Sequence, residues 1–100
     1  MKTTLSSAQT RFLRGLCHSL KPVVMIGQNG LSDNVMTEID SAIQHHELIK
    51  VKIAQSDRAA RKEMARTIIE RSDSVLVQEI GQVICLYRKN DQETKIELPR

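Results

Sequence analysis

Aromatic side chains are almost missing from this sequence, which has one Phe, one Tyr and no Trp in 100 residues. That counts against a recognition sheet that stacks bases on exposed rings. No apolar run approaches the roughly 20 residues needed to cross a bilayer. The start, Met1 to Ser7, lacks the continuous apolar region of a secretory signal, so a cytoplasmic protein with no membrane partner is expected. Only two cysteines occur, Cys17 and Cys85, far apart in apolar surroundings and with no C-x-x-C pair. They are expected as small core residues rather than as a disulfide or a metal pair. There is no G-x-S-x-G elbow, no Walker A loop, no dinucleotide fingerprint and no H-E-x-x-H, and the three histidines lack a paired acid or nucleophile at a telling spacing. The expectation is a protein that is not an enzyme and has no cofactor and no metal.

What is present describes one domain, residues 1–100, with 40% hydrophobic and 27% charged residues. The net charge is a modest +3, but it is unevenly spread. Residues 1–32 hold Lys2, Arg11, Arg14 and Lys21 and no acid. Residues 33–49 reverse this with Asp33, Glu38, Asp40 and Glu47, and residues 50–71 swing back with seven basic residues against three acidic ones. Such segregation suits a basic face turned to a polyanion.

Periodicity orders the chain as helix, strand, helix, strand, helix, strand, strand. A first helix from about Ser7 to Leu20 opens with the capping box Ser6/Gln9 and buries Leu13, Leu16, Cys17 and Leu20, while Arg11, Arg14, His18 and Lys21 fall on another stripe. Pro22 closes it. A strand over Pro22–Ile26 follows. The next helix covers roughly Asp33 to His46, with His45 and His46 at its C-terminal end. Leu48 to Ile53 alternates strictly, placing Ile49, Val51 and Ile53 on one side and Lys50 and Lys52 on the other. Helices on only one face of the sheet would leave those lysines on the open face. A third helix opens at Ser56 or Asp57 and runs to about Arg71, with Arg58, Arg61, Lys62 and Arg66 around its surface. Two strands, Val75–Ile80 and Val83–Tyr87, flank Gly81-Gln82, a type II′ hairpin signal. Residues from about 90 to 100 read as a loosely held polar tail. The fold class is α/β, an N-terminal helix plus βαβαββ, with a compact mixed four-stranded sheet and helices packed on it.

The stretch that draws attention is Pro22-Val23-Val24-Met25-Ile26-Gly27-Gln28-Asn29-Gly30-Leu31-Ser32-Asp33. A strand runs into a Gly-x-x-Gly loop, then into a helix capped by Ser32. Glycines let a bulky partner approach the backbone, and the free amides of a helix start favour an anion. A tight strand-to-helix turn could use the same glycines, so the loop alone leaves both readings open.

From Leu13 to Leu31 (L-R-G-L-C-H-S-L-K-P-V-V-M-I-G-Q-N-G-L) the sequence resembles the CRM domain family of YhbY-like bacterial RNA-binding proteins. The likeness continues in H-E-L-I-K-V-K at His46–Lys52, in Q-E-I-G at Gln78–Gly81 and in L-Y-R at Leu86–Arg88. The resemblance implies a fold similar to the C-terminal domain of translation initiation factor three, preceded by an extra helix. It implies RNA binding through the loop, with ribosomal RNA in large-subunit precursors as partner during ribosome assembly. Carried over, Gly27 and Gly30 are the loop glycines, with Gln28 and Asn29 presented to RNA. Many family members place Lys or Arg where Gln28 stands, so affinity here would lean on Arg11, Arg14, Lys21, Lys50 and Lys52. A monomer is the simpler expectation. The alternative is a protein–protein adaptor docking an acidic partner on the basic face.

Overall fold

The computed structural model describes residues 4–27 and 29–100. The elements are α1 (Ser7–Cys17), β1 (Pro22–Ile26), α2 (Asp33–His46), β2 (Leu48–Ile53), α3 (Arg58–Ser72), β3 (Val75–Ile80) and β4 (Val83–Tyr87). The expected α/β order is the observed one. The sheet runs β1-β2-β4-β3, with β1 and β2 parallel and the other pairings antiparallel. Caps fix the helix starts. Ser6 and Gln9 form the reciprocal box, Ser32 Oγ accepts from the Val35 amide, and Asp57 caps α3. α1 stops three residues earlier than expected, because Leu16 and Cys17 carbonyls accept from Ser19 and Leu20 in tight turns ahead of Pro22. Gly81 takes the positive φ, +58°, that the first position of the hairpin turn requires.

The sheet buries both faces, by different means. Ile49, Val51 and Ile53 of β2, with Ile84 and Leu86 of β4, pack against Met36, Ile39 and Ile43 of α2 and Ala65 and Ile68 of α3. The alternate residues Leu48, Cys85 and Tyr87 face the other way and meet Leu13 and Cys17 of α1. Helices therefore cover both faces, contrary to the one-sided arrangement considered from sequence. Lys50 and Lys52 share their face with α1 and are half-buried.

That docking corrects the reading of the cysteines. Cys17 and Cys85 are core residues, as expected, but they are bonded to each other. The crossing of α1 over β4 brings their Cα atoms to 6.8 Å across 68 residues of sequence, a proximity no local pattern encodes.

The C-terminal residues also differ from the expected loose tail. Glu47, fully buried between α2 and β2, holds a positive φ of 65°. Its carboxylate accepts from the backbone amides of Asn90 (2.7 Å), Lys95 (2.6 Å) and Ile96 (2.7 Å). Asn90 Nδ2 donates to the Gln44 carbonyl (2.9 Å), and Arg88 bridges Asp40 Oδ1 and the Ser72 carbonyl at 2.7 Å each. Ile96 and Leu98 then close over the α1 side of the sheet. The three partners of Glu47 lie 43 to 49 residues from it, so nothing in the tail's own composition announces them. Burial, with Glu47 and Asp91 nearby, pushes the Tyr87 hydroxyl up from its ordinary value.

Two outcomes are expected. Glu47→Ala strands three amides and lowers unfolding free energy by roughly 3 kcal/mol or more, with fast hydrogen exchange at Asn90, Lys95 and Ile96. An unchanged urea midpoint would contradict the anchoring role. Reduction of Cys17–Cys85 costs about 4 kcal/mol on the chain-entropy scale for a loop of this size, read as the difference between denaturation curves with and without reductant.

Candidate nucleic-acid interface

β1 is an edge strand, and its last residue, Ile26, delivers the chain to the loop at one end of the sheet. The Gly30 amide donates to the Gly27 carbonyl (3.1 Å), closing a turn that leads to the Ser32 cap of α2. The two glycines are not equivalent. Gly30 has φ +75°, in the left-handed region that strains other residues, so the turn itself favours a glycine there, although a Cβ would meet Met64 Cε only at an ordinary contact distance of 3.6 Å. Gly27 is exposed, without a left-handed φ, and a Cβ there would meet nothing within 4 Å. No internal packing explains a glycine at Gly27. Asn29 is also exposed, while Gln28 lies outside the described residues.

Two other turns converge on this end of the sheet. The Ala54 amide donates to the Ile26 carbonyl (2.8 Å), tying the β2–α3 connection to the last residue before the loop. The Ile53 amide donates to the Gln82 carbonyl (2.7 Å), which brings in the β3–β4 hairpin. Arg61 braces the assembly by donating from Nη1 to the Gln55 (2.8 Å) and Ser56 (3.0 Å) carbonyls. Arg58, Arg61 and Lys62 in the first turns of α3 line an open cleft of about 270 Å³ with Glu79 and Gly81. Met64, which a side chain at Gly30 would meet, lies about one turn beyond Arg61.

The structure divides the residues expected from sequence. Lys52 pairs in register with Met25, next to the loop end. Lys50 pairs with Pro22 and Cys85, toward the end covered by α1, and Lys21 immediately precedes β1. Arg11 and Arg14 ride on α1, where Arg14 Nε donates to the Val77 carbonyl (3.2 Å). Gly27, Asn29, Gly30 and Lys52 thus gather at one end, and Arg11, Arg14, Lys21 and Lys50 at the other.

Sequence reasoning placed Arg58, Arg61 and Lys62 only on a helix surface. The signal that could have found them is topological: parallel β1 and β2 each hand over to a helix at the same sheet end, where ligands of α/β sheets collect. Charge pairing sharpens the contrast. Among the described residues, the ion pairs take up Arg66, Arg71, Arg88, Lys89 and Lys95. Among the described residues, none of the Arg and Lys side chains from Arg11 to Lys62 forms an ion pair, although Glu79 lines the cleft beside the last three. The loop end therefore offers backbone amides and unpaired guanidinium and ammonium groups, which are phosphate-binding chemistry. Among the described residues, no cluster of His, Cys, Asp and Glu could hold a metal ion.

The profile of the CRS1 / YhbY (CRM) domain matches residues 5–88. The chain is 49% identical over 98 residues to an "RNA-binding protein" of Haemophilus influenzae, covering 98% of each. It is 38% identical over 95 residues to Bacillus subtilis "Probable RNA-binding protein YqeI", covering 95% of this chain and 99% of that one. The solution structure of a hypothetical protein from Staphylococcus aureus superposes with a TM-score of 0.82 at 40% identity, covering 96% of this chain and all of that one.

The asymmetry of the glycines predicts that Gly27→Asp leaves stability within about 0.5 kcal/mol, as an open surface change should. Gly30→Asp forces a side chain into the left-handed region and costs about 1–2 kcal/mol. Equal thermal midpoints for the two variants would contradict the assignment.

Proposed function

Because this chain belongs to the CRS1 / YhbY (CRM) domain family, we propose that it is a non-enzymatic RNA-binding protein that seats the phosphate backbone on the loop Gly27–Gly30. The observation that carries this reading is Gly27, an exposed glycine that the fold does not require, placed at the sheet end where α3 presents Arg58, Arg61 and Lys62, which form no ion pair among the described residues. A backbone lacking Cβ atoms lets phosphate and sugar approach closely, and the start of α2 adds unpaired amides and the positive end of its dipole. With Gln28 in the variable slot, charge comes from α3 and Lys52 rather than from the loop. Gln28 and Asn29 are assigned the contacts that distinguish one nucleotide from another.

Within that reading the ligand is ribosomal RNA in large-subunit precursors, the protein acts during ribosome assembly, and it works as a monomer in the cytoplasm. No helix among the described residues is long and apolar enough to cross a membrane. Cytoplasmic thiols are mostly kept reduced. The loop end does not depend on the Cys17–Cys85 bond, since Cys85 pairs with Lys50 while the loop follows Ile26, three residues further along the register at Ile53.

Binding to a single-stranded RNA should fall with salt at a log–log slope of about −0.7 per phosphate contacted. Gly27→Asp weakens it by adding an anion at the seat, and Arg58→Ala with Lys62→Ala makes the slope shallower by about 1.4, two contacts at about 0.7 each. Fluorescence anisotropy against salt reads both effects. An unaltered affinity in folded Gly27→Asp removes the loop from the reading. Loss of sedimentation with large-subunit particles at high salt, but not at low salt, supports the assembly role. Sedimentation free of particles at low salt removes it.

A further inference from the structure

Strand register arranges the α1 face of the sheet in rows that cross all four strands. Pro22, Lys50, Cys85 and Gln78 form one row, and Met25, Lys52, Val83 and Ile80 form the next, toward the Gly27–Gly30 loop. The second row is uncovered at both edges, with Met25 64% and Ile80 62% exposed. Between the end of α1 and these rows lies a hollow of about 240 Å³, lined by His18, Pro22, Lys50, Gln78, Ile80 and Val83 beside Cys85. A second hollow, of about 470 Å³, adjoins it through Lys50 and adds Lys21 and His46. No acid lines either hollow. Lys21, Lys50 and Lys52 form no ion pair among the described residues. Ile53 pairs with Ile26, the last residue before the loop. From Lys50 to Ile53 is about 10 Å along the strand, or about three stacked nucleotides.

Resting on the RNA reading above, we propose that the His18–Lys50 hollow accepts an unstacked base of the same single strand whose backbone sits on the loop. A base has apolar faces and a polar edge, and the hollow offers both kinds of wall. Pro22, Ile80 and Val83 supply the apolar surface. The strands bring no ring, since Tyr87 is only 1% exposed, so the stacking partner is the exposed imidazole of His18 where α1 ends. The thioether of Met25, on the approach from the loop, suits an aromatic neighbour. Gln78 carries one carboxamide donor group and one acceptor, the pair that reads a base edge. Lys50 and Lys52 then lie along the path of the intervening phosphates. An acidic protein segment would also suit these lysines. A nucleic-acid strand already held at the loop reaches the hollow as an intramolecular step, an advantage that no separate partner has.

The test titrates the isotope-labelled full chain with a single-stranded RNA of mixed sequence, about eight nucleotides long, and with its abasic counterpart, which keeps every phosphate. The intact RNA should shift amide signals of Lys50, Gln78, Ile80 and Val83 as well as those of the loop, and the abasic strand should shift the loop alone. His18→Ala, a change at an exposed position, should weaken binding of the intact RNA by at least about fivefold, the lower end of what stacking of one base contributes. It should leave the abasic strand's affinity unchanged, and His18→Phe should restore binding of the intact RNA, because the ring rather than a charge is required. Shifts confined to the loop with intact RNA overturn the proposal and leave the RNA reading standing. Equal shifts at the hollow with both strands, or equal weakening of both by His18→Ala, overturn it as well, by reducing the contact to phosphate. The absence of any shift with either strand removes the RNA reading and this proposal together.

Discussion

A single buried carboxylate holds this fold together. Glu47 sits where α2 turns into β2, in a positive-φ conformation that nonglycine residues rarely adopt. Alone, an anion with no exposure would be strongly unfavourable there. Three short bonds from the amides of Asn90, Lys95 and Ile96 replace its water. Its own amide finishes α2 by donating to the Ile43 carbonyl, and its carbonyl receives the Arg88 amide. One residue thereby ends a helix, sets the start of β2 and folds the chain's last residues back over the sheet. Arg88 repeats the device from the outside, joining Asp40 on α2 to the last turn of α3.

The consequence is a sheet closed at one end and open at the other. At the closed end, α1, the Cys17–Cys85 bond and the C-terminal residues cover the face that α2 and α3 leave free. At the open end, three turns meet and no element lies across them. Charge follows the same division. The acids of the C-terminal region pair with Lys89 and Lys95, whereas the arginines and lysine opening α3 share their cleft with Glu79 but form no ion pair among the described residues. Exposed ion pairs of this kind add little stability, so Lys89 and Lys95 are explained by the acids next to them in sequence. The unpaired ones repel one another modestly and are available to a polyanion.

Local physics was legible in the sequence, and long-range contact was not. The Ser6/Gln9 box, the Ser32 and Asp57 caps, the period-two run of β2 and the Gly81 turn each depend on residues within four positions, and each element formed where its pattern stood. Leu20 lies beyond the end of α1 although the apolar spacing continues to it, because Pro22 already forces the chain out. The Cys17–Cys85 bond, the anchoring of Asn90 to Ile96 and the burial of Glu47 depend on which face α1 chooses and where the tail returns, and no spacing encodes either. The basic opening of α3 stood between these cases. Its residues were visible, but its place beside the loop follows only once β1 and β2 are known to be parallel.

The two loop glycines show why a motif must be divided before it is interpreted. Gly30 satisfies the turn: its φ of +75° would select glycine in a protein with no ligand at all. Gly27 satisfies nothing internal, and so it bears on function in a way that Gly30 does not. A Gly-x-x-Gly pattern counted as one signal mixes a folding constraint with a recognition constraint. Separated, the folding half explains why the loop keeps its shape. The other half leaves an exposed backbone beside unpaired cations, and a partner rich in phosphate uses both features.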